Sequence, residues 1–135
     1  MAKILVIDDE KTIRDAMRDI LEYEGYEIDE AEDGQQGLEM VTSGKYDIAL
    51  CDIKMPKMDG LEVLLKAREE GVLTQFVMVS AFGNVENAVE ATKRGAFDFI
   101  TKPPDLNRLL VTVRNAIEKS NDTEVIKTLK KRVYK

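Results

Sequence analysis

Residues 4–10 read ILVIDDE, an aliphatic run that leads directly into three acidic residues. A short continuous apolar run is typical of a β-strand that is buried on both faces. Carboxylates beside such a core repel one another and are costly there unless a cation joins them. The stretch therefore predicts a buried strand that ends in an acidic site, and it requires a cation near Asp8 and Asp9.

Four more segments have the composition of strands. The candidate strands lie at residues 4–7, 26–31, 48–51, 76–79 and 97–100. The segment at 26–31 alternates polar and apolar residues, which is typical of a strand with one wetter face at the edge of a sheet. Between the strands, apolar residues recur at the spacing of helices. The residues that share such faces are Ile13, Met17, Ile20 and Leu21; Leu61, Leu64 and Leu65; Val85, Ala88 and Val89; and Leu106, Leu109, Leu110 and Val113.

The order of these elements predicts the fold class. Five strands that alternate with five helices indicate an α/β fold, with a parallel sheet and helices on both of its faces. Glycine follows four of the predicted helices, where a left-handed cap costs glycine least. These glycines are Gly25, Gly44, Gly71 and Gly95.

Composition limits the classes of function. With 135 residues, 44% hydrophobic and 34% charged, the chain is expected to form one globular domain. Its net charge of −6 argues against direct nucleic-acid binding by this domain. No apolar run approaches the roughly 18 residues that a membrane span requires, so no membrane association is expected.

Cysteine and histidine usage narrows the chemistry further. Cys51 is the only cysteine, which excludes an internal disulfide and fits a reducing, cytoplasmic location. The chain contains no histidine, which excludes a Ser-His-Asp triad and a histidine metal site. A reactive phosphohistidine would have to be brought by another protein.

Polar residues follow the predicted strands where functional groups collect in open parallel sheets, outside the carboxyl ends. Asp8 and Asp9 follow the first strand, and Asp52, Ser80 and Lys102 follow the third, fourth and fifth. Oxygen-only ligands favour Mg²⁺ or Mn²⁺, and an aspartate can act as the nucleophile that forms an acyl phosphate. A metal ion and a lysine would then share the charge of the phosphoryl oxygens.

Four separated motifs resemble those of the receiver domains of bacterial two-component response regulators. They are Asp8–Asp9, Asp52 within CDIKMPKMDG, SAFG at 80–83 and TKP at 101–103. The resemblance covers residue 3 to about residue 119, and the segment 97–118 looks most like the receivers of NtrC-type transcription activators. It implies a doubly wound, flavodoxin-like sheet of strand order 2-1-3-4-5.

The resemblance also implies a phosphoacceptor and a metal site. Asp52 would accept a phosphoryl group from a cognate histidine kinase. Asp9, Asp52 and the Lys54 backbone carbonyl would bind Mg²⁺, or alternatively Mn²⁺, directly, whereas Asp8 would act through water. Lys54 and Phe82 are further expected to flank the phosphoryl group and to lengthen its lifetime.

Other positions would sense the phosphoryl group. Ser80 and the backbone N–H of Ala81 would hydrogen-bond it, and Lys102 would pair with another of its oxygens. Ser80 would also act as a switch together with Phe99, and the peptide bond before Pro103 would be cis.

The expected output is a change in the face at 84–119 and in a homodimer formed through it. That face offers a mixed-sign set made of Lys93, Arg94, Arg114, Glu90 and Asp98. Residues 1–119 are expected to form the receiver, and 120–135 a linker or signalling helix that leads to an output domain, with a fresh helix start or a phase shift at Asn121. A stand-alone receiver with a basic tail is the alternative, and a fragment is favoured.

Other functions remain open at this point. A Mg²⁺-dependent phosphohydrolase would also use an aspartyl phosphate, although such enzymes commonly carry D-x-D where this chain has D-D-E. A receiver-like module that binds partners without phosphorylation is the second alternative. Taken singly, Asp8 or Asp9 could simply cap a helix, and Phe99 could be a core residue.

Overall fold

The structure is a computed structural model that describes residues 2–81 and 85–133, with side chains described as far as residue 122. Strands and helices alternate strictly along the chain. The strands are β1 (Lys3–Ile7), β2 (Glu27–Ala31), β3 (Ile48–Asp52), β4 (Gln75–Ser80) and β5 (Asp98–Thr101). The helices are α1 (Lys11–Tyr23), α2 (Gly34–Val41), α3 (Gly60–Glu69), α4 (Val85–Lys93) and α5 (Leu106–Val133).

The five strands form one parallel sheet of order β2-β1-β3-β4-β5, as predicted. Its two faces bury separate hydrophobic clusters, and β1 supplies both of them. Leu5 and Ile7 pack into the cluster that also contains residues of α2 and α3, whereas Ile4 and Val6 pack with α1 and α5. Because successive side chains of a strand point to opposite faces, burial on both faces explains the continuous ILVI run.

The strand register places the polar residues at one edge of the sheet. Ile7 pairs with Cys51, Asp52 with Val79, and Ser80 with Thr101. Since all the strands run in the same direction, the residues that follow β1, β3, β4 and β5 emerge side by side.

Close backbone packing fixes the segment after β3. The Asp59 side chain accepts a hydrogen bond from the Glu62 N–H and so caps α3. A Cβ added to Gly60 would lie 2.0 Å from the Asp52 carbonyl oxygen, so only glycine allows α3 to begin this close to the end of β3. All four glycines predicted to follow helices have positive φ, which confirms that expectation.

Val85, Ala88 and Val89 share one face of α4, as predicted. The apolar face of α4 points toward solvent, since Val85 is 79% exposed and Val89 is also exposed, while Ala91 is the buried residue. Spacing groups residues on one face but does not say which face meets the core, and here the face that carries the small residue Ala91 does so. No new helix starts at Asn121, because α5 runs unbroken from Leu106 to Val133.

The orientation of α3 generates a stability prediction. Leu64 is fully buried, whereas its neighbour Leu65 is 38% exposed. Leu64→Ala should lower the free energy of unfolding by about 2–5 kcal/mol, because it removes buried apolar surface and leaves a cavity. Leu65→Ala is the matched control and should cost much less. Urea unfolding of the two variants measures this, and equal losses would contradict the orientation of the helix.

Candidate functional site

Lys102 is the cation that neutralises the acidic end of β1. Its Nζ lies 2.5 Å from Asp8 Oδ2 and 3.4 Å from Asp52 Oδ2. All three side chains are at most 7% exposed. Two carboxylates at the ends of different strands therefore share one buried ammonium, which comes from the loop after β5.

Asp8 is held on both of its carboxylate oxygens. Oδ2 accepts from Lys102, and Oδ1 accepts a 2.9 Å hydrogen bond from the Glu10 backbone N–H. The Asp8 N–H in turn donates to the Ala31 carbonyl at the end of β2. Asp8 thus organises the turn between β1 and α1.

Four carboxylates converge at this edge. Asp8, Asp9, Glu10 and Asp52 each offer an oxygen, and these oxygens lie within 4.8 Å of one another. Asp8 and Asp52 are buried, while Asp9 and Glu10 face solvent. One lysine cannot balance four acids, and a set of carboxylate oxygens is what hard divalent cations prefer. The donor set fits Mg²⁺, and Glu10 is a member that the sequence did not single out as a ligand.

Burial and charge shift the titration of the central pair. Burial raises the pKa of Asp52 to about 6, against the opposing effect of Lys102, and the charge of Asp8 reinforces the rise. Burial lowers the pKa of Lys102. Its hydrogen bonds and charge interactions with Asp8 and Asp52 raise that pKa by more, so the pKa is raised overall. Lys102 therefore stays charged at neutral pH. The penalty of burying charge falls on Asp52, whose charged form is disfavoured.

The end of β4 lies beside this cluster. Ser80 is fully buried as the last residue of β4, and its carbonyl accepts a 2.9 Å hydrogen bond from the Lys102 N–H. Ala81 follows in an exposed bend. Lys54 is exposed two residues after Asp52, whereas Phe82 lies outside the described residues.

Phe99 and Pro103 flank the lysine along the chain. Phe99 pairs with Met78 in the sheet and is partly buried against the cluster formed with α2 and α3. The Lys102–Pro103 peptide bond is cis. Phe99 thus occupies a position between core and surface, on the strand that carries Lys102.

Arg14 also contacts the acidic turn, and the sequence reasoning missed it. Its Nη1 donates a 2.7 Å hydrogen bond to the Asp8 carbonyl, and its Nε lies 3.3 Å from Glu30 Oε1. The sequence feature that could have indicated Arg14 is Glu30, an acidic residue near the end of β2. From there it can pair with an arginine in the first turns of α1.

Comparisons with known proteins define the class. The family model described as "Response regulator receiver domain" matches residues 4–114. The chain therefore belongs to this family, whose members are phosphorylation-activated switches of two-component systems.

Relatives include longer regulatory proteins. The chain is 40% identical over 112 residues to transcriptional regulatory protein DltR of Streptococcus agalactiae serotype III, covering 83% of this chain and 50% of DltR. It is 35% identical to regulatory protein AtoC of Escherichia coli over 86% of this chain and 25% of AtoC. The chain thus spans half or less of the length of these two relatives.

Solved structures agree with the fold. NtrX from Brucella abortus matches with a TM-score of 0.85 at 37% identity, over 97% of this chain and 30% of NtrX. A receiver domain protein from Clostridium thermocellum matches with a TM-score of 0.84 at 33% identity, over 90% of this chain and 98% of that one. These relatives confirm the predicted likeness to NtrC-type receivers. Within the described residues, no helix is long and apolar enough to cross a membrane.

The raised pKa of Asp52 generates a pH prediction. Between the ordinary value of 3.8 and about 6, the folded state binds more protons than the unfolded state, so stability falls as pH rises through this window. Asp52→Asn should therefore be more stable than wild type at pH 7 in metal-free buffer, and the gain should shrink as pH falls toward 3.8.

Thermal unfolding across this pH range measures the effect. Asp19→Asn, the same change at an exposed position of α1, controls for net charge. A gain for Asp52→Asn that does not depend on pH would contradict burial as its cause.

Proposed function

We propose that the chain is a phosphorylation-activated switch that accepts a phosphoryl group on Asp52 from a histidine kinase. The observation that carries this proposal is the buried contact of Lys102 with Asp8 and Asp52 at the carboxyl edge of the sheet. Because the chain has no histidine, the phosphohistidine that donates the group belongs to the kinase.

The transfer is a nucleophilic substitution at phosphorus. An Asp52 carboxylate oxygen forms the new O–P bond while the bond between phosphorus and the donor's imidazole nitrogen breaks. The Lys102 ammonium is placed to pair with a phosphoryl oxygen once the Asp52 carboxylate has become an acyl phosphate. Ser80 and the Ala81 N–H would hydrogen-bond the remaining oxygens, and support for this is their place at the end of the neighbouring strand.

Mg²⁺, or alternatively Mn²⁺, would bind at the acidic cluster. The Asp9 and Asp52 carboxylates and the Lys54 carbonyl would hold the ion directly. Asp8 would act through water, in keeping with the two hydrogen bonds that already engage its oxygens. The ion would supply positive charge for the phosphoryl oxygens.

The phosphoacceptor assignment yields a direct prediction. Incubation with Mg²⁺ and acetyl phosphate should add the mass of one phosphoryl group to the intact protein, and Asp52→Asn should abolish the gain. Asp59→Asn is the control: it changes a nearby exposed aspartate to another good helix cap and should leave the gain intact.

The same measurement separates the alternatives. An adduct on Asp52→Asn would overturn the assignment, and no adduct on wild type would favour a module that acts without phosphorylation. Rapid multiple turnover of the phosphodonor would favour a phosphohydrolase.

The signal would leave through the face at 84–119. A hydrogen bond from Ser80 to the phosphoryl group would draw in the segment after β4, and Phe99 would turn into the space left behind. Support comes from the exposed apolar face of α4, which includes Val85 and Val89 and is available to a second copy.

Charged residues on this face are partly paired within the chain. Arg94 lies 2.9 Å from Glu90, and Arg108 lies 3.1 Å from Asp98. Of the predicted mixed-sign set, Lys93 and Arg114 are therefore the cations best placed for a partner, together with the apolar face of α4. A homodimer through this face would have to rearrange the Asp98–Arg108 pair or leave it at the rim.

Residues 1–119 would form the receiver, and the segment 120–135 would carry the change to an output domain that regulates transcription. Support comes from the continuation of α5 to Val133 and from the greater length of the named transcriptional relative. A continuous helix can pass a movement of the receiver onward without a flexible joint.

The proposed coupling predicts a change in association. Beryllofluoride with Mg²⁺, which mimics the phosphoryl group, should shift the monomer–dimer equilibrium of wild type, because only the modified state offers the contact to Ser80. Analytical ultracentrifugation with and without the mimic measures the shift. Ser80→Ala should abolish it, and an equal shift in that variant would refute the coupling.

A further inference from the structure

Arg14 ties the acidic turn to the edge of the sheet. It lies in the first turns of α1, and its side chain is only 11% exposed. One arm of its guanidinium donates to the Asp8 backbone carbonyl at 2.7 Å, and Nε faces Glu30 Oε1 at 3.3 Å. A planar guanidinium can serve these two acceptors at once with little freedom to move.

Glu30 is itself held in place. Its second oxygen, Oε2, accepts a hydrogen bond from Arg18, which also donates to the Ile28 carbonyl of the same strand. The carboxylate therefore has a fixed position on β2. Arg14 transmits that position to the turn after β1, whereas the described contacts of Arg18 are with Glu22, Glu30 and the Ile28 carbonyl.

We infer that Arg14 is a positioning residue for the metal site. A peptide unit is planar, so fixing the Asp8 carbonyl also fixes the direction in which the chain enters Asp9. Asp9 is exposed and belongs to the four-carboxylate cluster, so the orientation of its carboxylate depends on the backbone that carries it. The inference rests on the proposed function, because it assigns Arg14 to the cation site of that function.

The sign of the effect separates positioning from simple electrostatics. Arg14 is a cation near a site for a divalent cation, so its charge alone opposes metal binding. Removing that charge would tighten binding if electrostatics dominated. Removing the hydrogen bond to Asp8 instead loosens the ligands, as does the loss of other groups that orient metal ligands.

The test is a titration of the whole chain with Mn²⁺, in which the electron paramagnetic resonance signal of the free ion reports binding. Arg14→Gln should weaken binding by about tenfold or more, the range typical for lost outer-shell contacts. Arg14→Lys should show a smaller loss, because its single nitrogen can still donate to one acceptor although it cannot serve both as the guanidinium does.

Arg18→Gln is the matched control. It replaces another arginine of the same helix that contacts Glu30 but leaves the Arg14 hydrogen bond to Asp8, so Mn²⁺ affinity should fall much less than in Arg14→Gln. Urea unfolding of each variant separates lost affinity from lost stability. Phosphorylation of Arg14→Gln should need more Mg²⁺ yet reach the wild-type extent at saturation.

The outcomes are distinct. If wild type binds Mn²⁺ but Arg14→Gln binds it equally or more tightly, the positioning role is wrong and the proposed function stands. An equal loss of affinity in Arg18→Gln would likewise overturn it, since the ion-pair network alone would then be responsible. If wild type binds no Mn²⁺, the proposed function fails, and this inference fails with it. Should Arg14→Gln not fold, an unchanged affinity in Arg14→Lys decides against the role.

Discussion

One lysine holds together the acidic edge on which the rest of the structure depends. Lys102 reaches Asp8 and Asp52 from the far end of the chain, and water is nearly excluded from all three side chains. Without that ammonium, two carboxylates would lie buried side by side, a state that proteins avoid by protonation or by unfolding. The strand order makes the contact possible, because it brings the ends of β1, β3, β4 and β5 to one edge. The fold and the site are thus two consequences of the same topology.

Burying the charged site costs folding free energy, which the hydrophobic core must offset. Burial raises the pKa of Asp52, which means that its charged form is disfavoured in the folded chain even beside Lys102. Carboxylates whose pKa is strongly shifted in this way concentrate at functional sites. A purely structural ion pair would instead favour the charged form of the carboxylate. A bound cation would offset the excess negative charge, whereas an acyl phosphate on Asp52 would add negative charge that the cation and Lys102 would have to balance. The site is electrostatically unfavourable when it is empty. Filling it changes that energy and can therefore bias the conformation of the domain.

Much of this could be predicted from the sequence, because the informative signals were local. Continuous apolar runs indicated the strands, and the polar residues after them indicated the site, once parallel pairing was inferred. Which carboxylate takes the shorter contact with Lys102 could not be predicted, since that depends on side-chain geometry across 94 residues of chain. The exposure of Val85 was missed because helical spacing does not say which face meets the core. Arg14 was missed because its role requires Glu30, whose partner only the folded sheet reveals.

The most direct test of the central claim is fluorine-19 nuclear magnetic resonance of beryllofluoride mixed with the protein. If Asp52 is a phosphoacceptor set between Lys102 and a cation site, protein-bound fluorine signals should appear only when Mg²⁺ is present, and Asp52→Asn should show none. Bound signals without a divalent cation, or undiminished signals in Asp52→Asn, would contradict the claim.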